Sequence, residues 1–152
     1  MGEESDSSRE SGQLAPPAVP ASIWAYGPAL LVGALVLYTF ALVIGTHLPK
    51  IGGLVRTSGI DKLLHFGAYF VQATLAAGAV AATGRLGRRN AVILVVVLAV
   101  FGGLDELTQP WFSRSAEWLD WLADCLGILL GVGGVLLATR SLTSRNLPRD
   151  SR

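Results

Sequence analysis

Residues 91–103 read AVILVVVLAVFGG, apolar on every face that a helix can present. A surface helix of a soluble protein alternates apolar and polar faces with a period of 3.6 residues, and this run does not. It lies within one of four apolar stretches, residues 24–45, 63–82, 91–109 and 118–138. Each has about the 20 residues that a helix rising 1.5 Å per residue needs to cross roughly 30 Å of hydrocarbon. A soluble four-helix bundle is the alternative, and it would leave wide apolar faces in water. Composition favours the membrane: of 152 residues, 51% are hydrophobic and 15% charged, and the mean hydropathy is +0.51. The sequence predicts an all-α, membrane-embedded four-helix bundle over residues 22–140, with a disordered N-terminal tail (1–21) and a basic C-terminal tail (141–152).

The first 21 residues are rich in Ser, Glu, Gly and Pro and bury too little apolar surface to offset their conformational entropy. They lack the positive start of a signal peptide, and Asp6 stands where a myristoylation signal needs Ser or Thr, so the tail is expected to be retained. Twelve Lys and Arg against eleven Asp and Glu give a net charge of +1 and no basic stripe, which argues against a nucleic-acid partner. Cys125 is the single cysteine, and no CxxC or Cys/His cluster suggests structural zinc. No metal ligand is therefore assigned and the cofactor stays open; membrane lipids are the expected partner.

Arg9, Arg85, Arg88, Arg89, Arg140, Arg145, Arg149 and Arg152 fall on one side of the four spans, and Lys50, Arg56, Lys62 and Arg114 on the other. Basic loops stay cytoplasmic, so both termini are expected inside and Lys62 and Arg114 outside. Trp111, Phe112, Trp118 and Trp121 near the outer ends, and Trp24 and Tyr26 near the inner end of the first span, are placed as interfacial anchors.

Polar residues interrupt this pattern at one end. Asp61, His65, Tyr69 and Gln72 step by four, four and three residues and share one helix face. Asp105, Glu106 and Gln109 fill the last turn before Pro110, and Asp120 and Asp124 lie one turn apart. An acid at the centre of a membrane helix costs roughly 2.5–3.5 kcal/mol on insertion scales, so Asp124 is expected to face the bundle. Gly127, Gly131 and Gly134 continue that face and should admit a neighbouring backbone, which makes the fourth span the expected central helix. The polar groups are expected to converge, with His65, Glu106 and Asp124 within side-chain reach.

Interhelical glue, at about 0.6 kcal/mol per contact, is one reading: Lys62, His65 and Arg114 would neutralise acids while Gln72 and Gln109 bridge helices. Five carboxylates facing at most three cations point further, to shared protons, a bound cation or an aqueous pocket awaiting a cationic or hydroxyl-rich ligand. Arg114 is the single basic residue between the third and fourth spans, near Asp105, Glu106, Glu117, Asp120 and Asp124. It is expected to clamp two helix-end carboxylates.

Three ordered segments, DKLLHFGAYF (61–70), GLDELTQ (103–109) and SRSAEWLDWLADCLG (113–127), carry a resemblance. They are similar to the DKxxHFxxY, DExxQ and RxxxxxDxxx(N/D)xxG blocks of the VanZ-like family of small bacterial membrane proteins. The likeness covers about residues 61–131 and places the family's polar residues on Asp61, Lys62, His65, Tyr69, Asp105, Glu106, Gln109, Arg114, Asp120 and Asp124. Asp124 stands where many members have Asn. The resemblance implies a multipass protein of the bacterial inner membrane and cell envelope. Through the family's founding member it implies a link to glycopeptide (teicoplanin-type) resistance, or to envelope lipid and cell-wall handling, with a lipid-linked or glycopeptide ligand.

Two function classes remain open from the residues. A hydrolase or transferase acting on a lipid-linked substrate would use His65 and Glu106 as acid and base, with Asp120 and Asp124 orienting them or binding a cation. Asp61, Lys62, Tyr69, Asp105, Gln109 and Arg114 would hold the substrate. The spacing Ser113-Arg114, Asp120, Asp124 resembles the SRx5Hx3D motif of membrane phosphatidic acid phosphatases, with Asp120 replacing the nucleophilic His and the other blocks of that family missing. No Ser or Cys nucleophile stands beside an obvious base. A binding protein needs less, an acidic pocket rimmed by aromatics. Transport would call for an inverted repeat or broken helix pair, which the spans do not show.

Overall fold

The computed structural model describes residues 26–48 and 58–145; the expected tail over 1–21 and the residues Trp24, Lys50, Arg56, Arg149 and Arg152 lie outside the described residues. Four helices follow one another: α1 (Gly27–His47), α2 (Ser58–Ala82), α3 (Arg88–Thr108) and α4 (Trp118–Arg145), with a turn of 3-10 helix (Gln109–Phe112) between the last two. At 21, 25, 21 and 28 residues they measure about 32 to 42 Å. All four are long and apolar enough to cross a membrane, and the chain is an all-α, multipass bundle.

Local chemistry sets the ends. Pro28 sits in the first turn of α1, where its missing N–H costs nothing. Gly84, at φ 70°, closes α2: its N–H donates to the Ala81 carbonyl at 2.8 Å and the Arg85 N–H to Val80 at 3.3 Å, the left-handed cap that glycine adopts without strain. Pro110 tightens the chain into the 3-10 turn after α3. Ser113, at φ 61°, then reverses it, and the Arg114 N–H returns to the Gln109 carbonyl at 3.3 Å. The helix α4 continues to Arg145, five residues beyond the predicted boundary at 140. No glycine or proline interrupts it there, and Thr139, Ser141, Thr143 and Ser144 fold their hydroxyls back onto carbonyls three or four residues earlier.

The central helix is α2, which corrects the expectation for the fourth span: α2 packs most extensively on α4, then on α1, and touches α3. Small residues explain this. Ala73, Ala76 and Ala77 bury one side of α2, while Ile128 and Val132 of α4 fill the space opposite. At Gly127 a Cβ would sit 2.3 Å from the Phe66 carbonyl oxygen, and at Gly131 2.8 Å from that of Phe70, so the two backbones touch. Gly134 does not join them, contrary to expectation: nothing lies within 4 Å of its Cβ position, because the buried face of α4 runs on through Val132 and leaves Gly134 exposed. Leu30, Leu37, Val97, Val100, Leu129 and Leu137 point outward and are more than half exposed. In water that would be an aggregating surface; in a bilayer it is the surface facing lipid.

Candidate functional site

The periodicity of α2 places Asp61, His65, Tyr69 and Gln72 along one buried stripe. Across from it, α4 offers Asp120 and Asp124, each 1% exposed. His65 joins the two helices. Its Nδ1 lies 3.1 Å from Asp124 Oδ1 and its Nε2 3.9 Å from Asp120 Oδ2. Lys62, one position along the stripe, sets its Nζ 3.1 Å from both Asp120 Oδ1 and Glu117 Oε2. That lysine makes the two-carboxylate clamp expected of Arg114.

Arg114 acts elsewhere. The reversal at Ser113 turns it toward α1, where Nη1 donates to the Thr46 carbonyl at 2.7 Å and Nη2 lies 3.6 Å from Asp61 Oδ1. It ties the end of α1 to the start of α2 and does not fork across two acids. Its side chain is 8% exposed, yet Nε has no hydrogen-bond partner. A buried guanidinium N–H without an acceptor carries a desolvation cost of about 1–3 kcal/mol or more.

The acids of α3 are shared between local and long-range partners. Glu106 accepts from the Glu117 N–H and, at 3.0 Å, from Gln109 Nε2, so it fastens the connector before α4. His65 and Asp124 therefore meet directly, as expected, while Glu106 acts on both electrostatically but spends its hydrogen bonds elsewhere. Asp105 Oδ1 accepts from Thr46 Oγ1 at 3.0 Å and lies 3.6 Å from His47 Nδ1. The His47 ring is held between the Val43 carbonyl (2.8 Å) and Thr108 Oγ1 (2.9 Å), with Phe112 edge-on at 4.6 Å. Gln72 does bridge helices, donating to Thr39 Oγ1 at 3.2 Å; Gln109 bonds within its own strand of chain and does not.

Thr39, Thr46, His47 and Thr108 were not among the candidates from sequence. They sit in or beside apolar helices with no polar period; Thr39 finds its partner on α2, and Thr46, His47 and Thr108 find theirs where the ends of α1 and α3 meet. His47 carried the one available signal, a titratable ring at the end of an otherwise apolar span.

Deeper in, Tyr69 Oη and Asp105 interact with each other, and Gln109 Oε1 and Asp124 Oδ2 are buried without a hydrogen-bond partner. Gly102 gives Tyr69 and Asp124 their room: its Cβ position is 3.1 Å from the Tyr69 ring and 3.4 Å from Asp124 Oδ2, so any side chain there would press on both. Toward α1 the packing opens into a cavity of about 230 Å³. Thr46, Asp61, His65 and Arg114 line one part of it; Ala41, Leu42, Leu64 and Ala68 line the other. The interior thus passes from charged to apolar within one space. Asp61, His65 and Asp120 also bring one donor atom each within 4.8 Å of the others, a grouping that could hold a metal ion and that the sequence spacing did not assign.

Comparison of the chain with protein-family models, with curated proteins and with solved structures finds no match.

Proposed function

We propose that the protein is a VanZ-like envelope membrane protein whose polar end binds the headgroup of a membrane amphiphile, such as a lipid-linked envelope intermediate or a lipid-bearing glycopeptide. The cavity between α1 and α2 carries this reading: an apolar wall suits an acyl or prenyl chain, and the charged wall suits the group it carries. Arg114 Nε, buried without an acceptor beside that wall, favours an anionic headgroup. Of the ten residues that align with the family's polar positions, Asp61, His65 and Arg114 line this cavity, and Asp120 and Asp124 contact His65 from α4.

The orientation belongs to the same proposal. Arg85, Arg88, Arg89 and Arg140 cluster at the end opposite the cavity, so the cavity opens on the extracytoplasmic side of the bacterial inner membrane and both termini are cytoplasmic. A cysteine introduced near Ser115 reacts with an impermeant reagent in intact cells on this reading, and one between Gly84 and Gly87 does not; the reverse pattern turns the site inward.

A second reading, an enzyme acting on the same amphiphile, is favoured by one feature. His65 is held at Nδ1 by Asp124, the arrangement that orients a general base and fixes its tautomer. Lipid mass spectrometry with and without the protein separates the readings: a changed covalent species supports the enzyme, an unchanged one the binder.

Native mass spectrometry of the protein released from its own membrane tests the binding itself. The expected result is a retained phosphate- or carboxylate-bearing amphiphile, lost in Arg114→Lys, which keeps the charge near Asp61 and removes Nε. A wild-type chain that retains no such molecule overturns the proposal.

A further inference from the structure

At the polar end the carboxylates of the described residues outnumber the lysine and arginine beside them. Among the described residues, Asp61, Asp105, Glu106, Glu117, Asp120 and Asp124 share that end with Lys62 and Arg114. Lys62 is committed to Glu117 Oε2 and to Asp120 Oδ1, which leaves Asp120 Oδ2 turned toward His65. Asp124 Oδ1 lies 3.1 Å from His65 Nδ1, and the neutral tautomer that donates to it carries its lone pair on Nε2. A lone pair and a carboxylate oxygen then face each other across 3.9 Å. A proton on Nε2 or a cation between the two relieves that repulsion, and the geometry leaves room for the cation.

Asp61 supplies a third donor one helical turn before His65, with all three donor atoms within 4.8 Å of one another. The carboxylate behind the ring is also the arrangement that metal sites use: a ligating histidine passes its other N–H to an acid, which fixes the ring and raises its basicity. The ligand set is open on one side, because Asp61 and His65 both line the α1–α2 cavity. Arg114 Nε, buried and without an acceptor in that same cavity, independently calls for an anionic group at this point.

We infer that Asp61, His65 and Asp120 bind a divalent cation on the charged wall of the cavity, with Asp124 as the positioning residue for His65. Two oxygens and one imidazole nitrogen suit Mn²⁺ or Zn²⁺. At metal–ligand distances of about 2.0–2.2 Å the three donors must close by about 1 Å, within reach of side-chain rotation. An anionic headgroup then completes the coordination and is held from its other side by Arg114, which removes the conflict between an acidic wall and an anionic ligand. The headgroup step rests on the function proposed above; the cation does not.

Titration with Mn²⁺, followed by electron paramagnetic resonance on the full chain in zwitterionic-lipid nanodiscs, tests this. The expected result is one Mn²⁺ per chain with a histidine-nitrogen coupling in the pulsed spectrum. Asp120→Asn abolishes the bound signal, and Asp124→Asn weakens affinity by about 10- to 100-fold. Because the nitrogen coupling is read on the wild-type chain, loss of fold in a variant leaves the test intact. Absence of bound Mn²⁺ with Zn²⁺ also failing to bind, or bound Mn²⁺ without nitrogen coupling, overturns the site. Amphiphile retained in the presence of a chelator, with no ion bound, sinks the cation and leaves the binding function standing; a bound ion without retained amphiphile supports the cation and counts against that function.

Discussion

Where α2 meets α4, backbone touches backbone at Gly127 and Gly131, and buried acids of α4 reach His65 and Lys62. Where α2 meets α1, the contacts are spaced polar bonds, Tyr38 Oη donating to the Ala68 carbonyl at 2.9 Å and Gln72 to Thr39, with a cavity of about 230 Å³ between them. In a bilayer, lipid tails are as apolar as the side chains, so helices associate through close packing and polar bonds and gain little from apolar burial. The first seam has both and makes a fixed platform for the His65 ring. The second has polar bonds and the apolar packing of Leu42 but no backbone contact of that kind, and its unfilled volume is the place offered to a ligand.

The largest effect is expected at the platform. Asp124→Ala leaves His65 buried beside Asp120 without its Nδ1 partner, and removing one member of a buried pair costs about 3–5 kcal/mol. Thermal unfolding in detergent should show it, and His65→Leu in the same background should recover part of the loss, as coupled neighbours do. An additive double mutant would mean that the bond adds nothing. Gly127→Ala comes next, at about 1–3 kcal/mol, because the new methyl meets the Phe66 carbonyl and the backbones must part. Gly134→Ala, seven residues on and facing open space, should stay within about 0.5 kcal/mol of wild type. Equal losses at both glycines would erase the difference between the seams. The smallest change is Tyr38→Phe, about 0.6 kcal/mol for one interhelical hydrogen bond, measured by the same melt.

The sequence carried the platform better than the cavity, for a physical reason. Four spans follow from length and apolarity, and the stripe Asp61, His65, Tyr69, Gln72 follows from the helical period alone. Asp124 facing the bundle follows from the cost of an acid in lipid. Each of these depends on one helix. The division of labour between Lys62 and Arg114 depends on how the connector turns at Ser113, a non-glycine residue in a left-handed conformation that no local signal marks. The roles of Thr46 and His47 depend on which helix end meets α1, and the centrality of α2 on a count of small residues on facing helices. Contacts among elements far apart in the chain have no periodic trace, and the cation grouping, which joins Asp61 and His65 to Asp120 across 54 intervening positions or more, is of that kind.

Filling the cavity tests most directly whether the polar end exists for a ligand or only for packing. Gly45 lines it, and a Cβ there meets nothing within 4 Å. Gly45→Leu therefore adds its bulk at the cavity lining from a Cβ that meets no atom, and within a helix it replaces glycine by a better helix former, worth about 0.8 kcal/mol. Native mass spectrometry of wild type and Gly45→Leu, paired with their melting temperatures, is the measurement. A ligand site predicts that the variant melts at or above wild type and has lost the retained amphiphile. A variant equally stable that keeps the same amphiphile would contradict it.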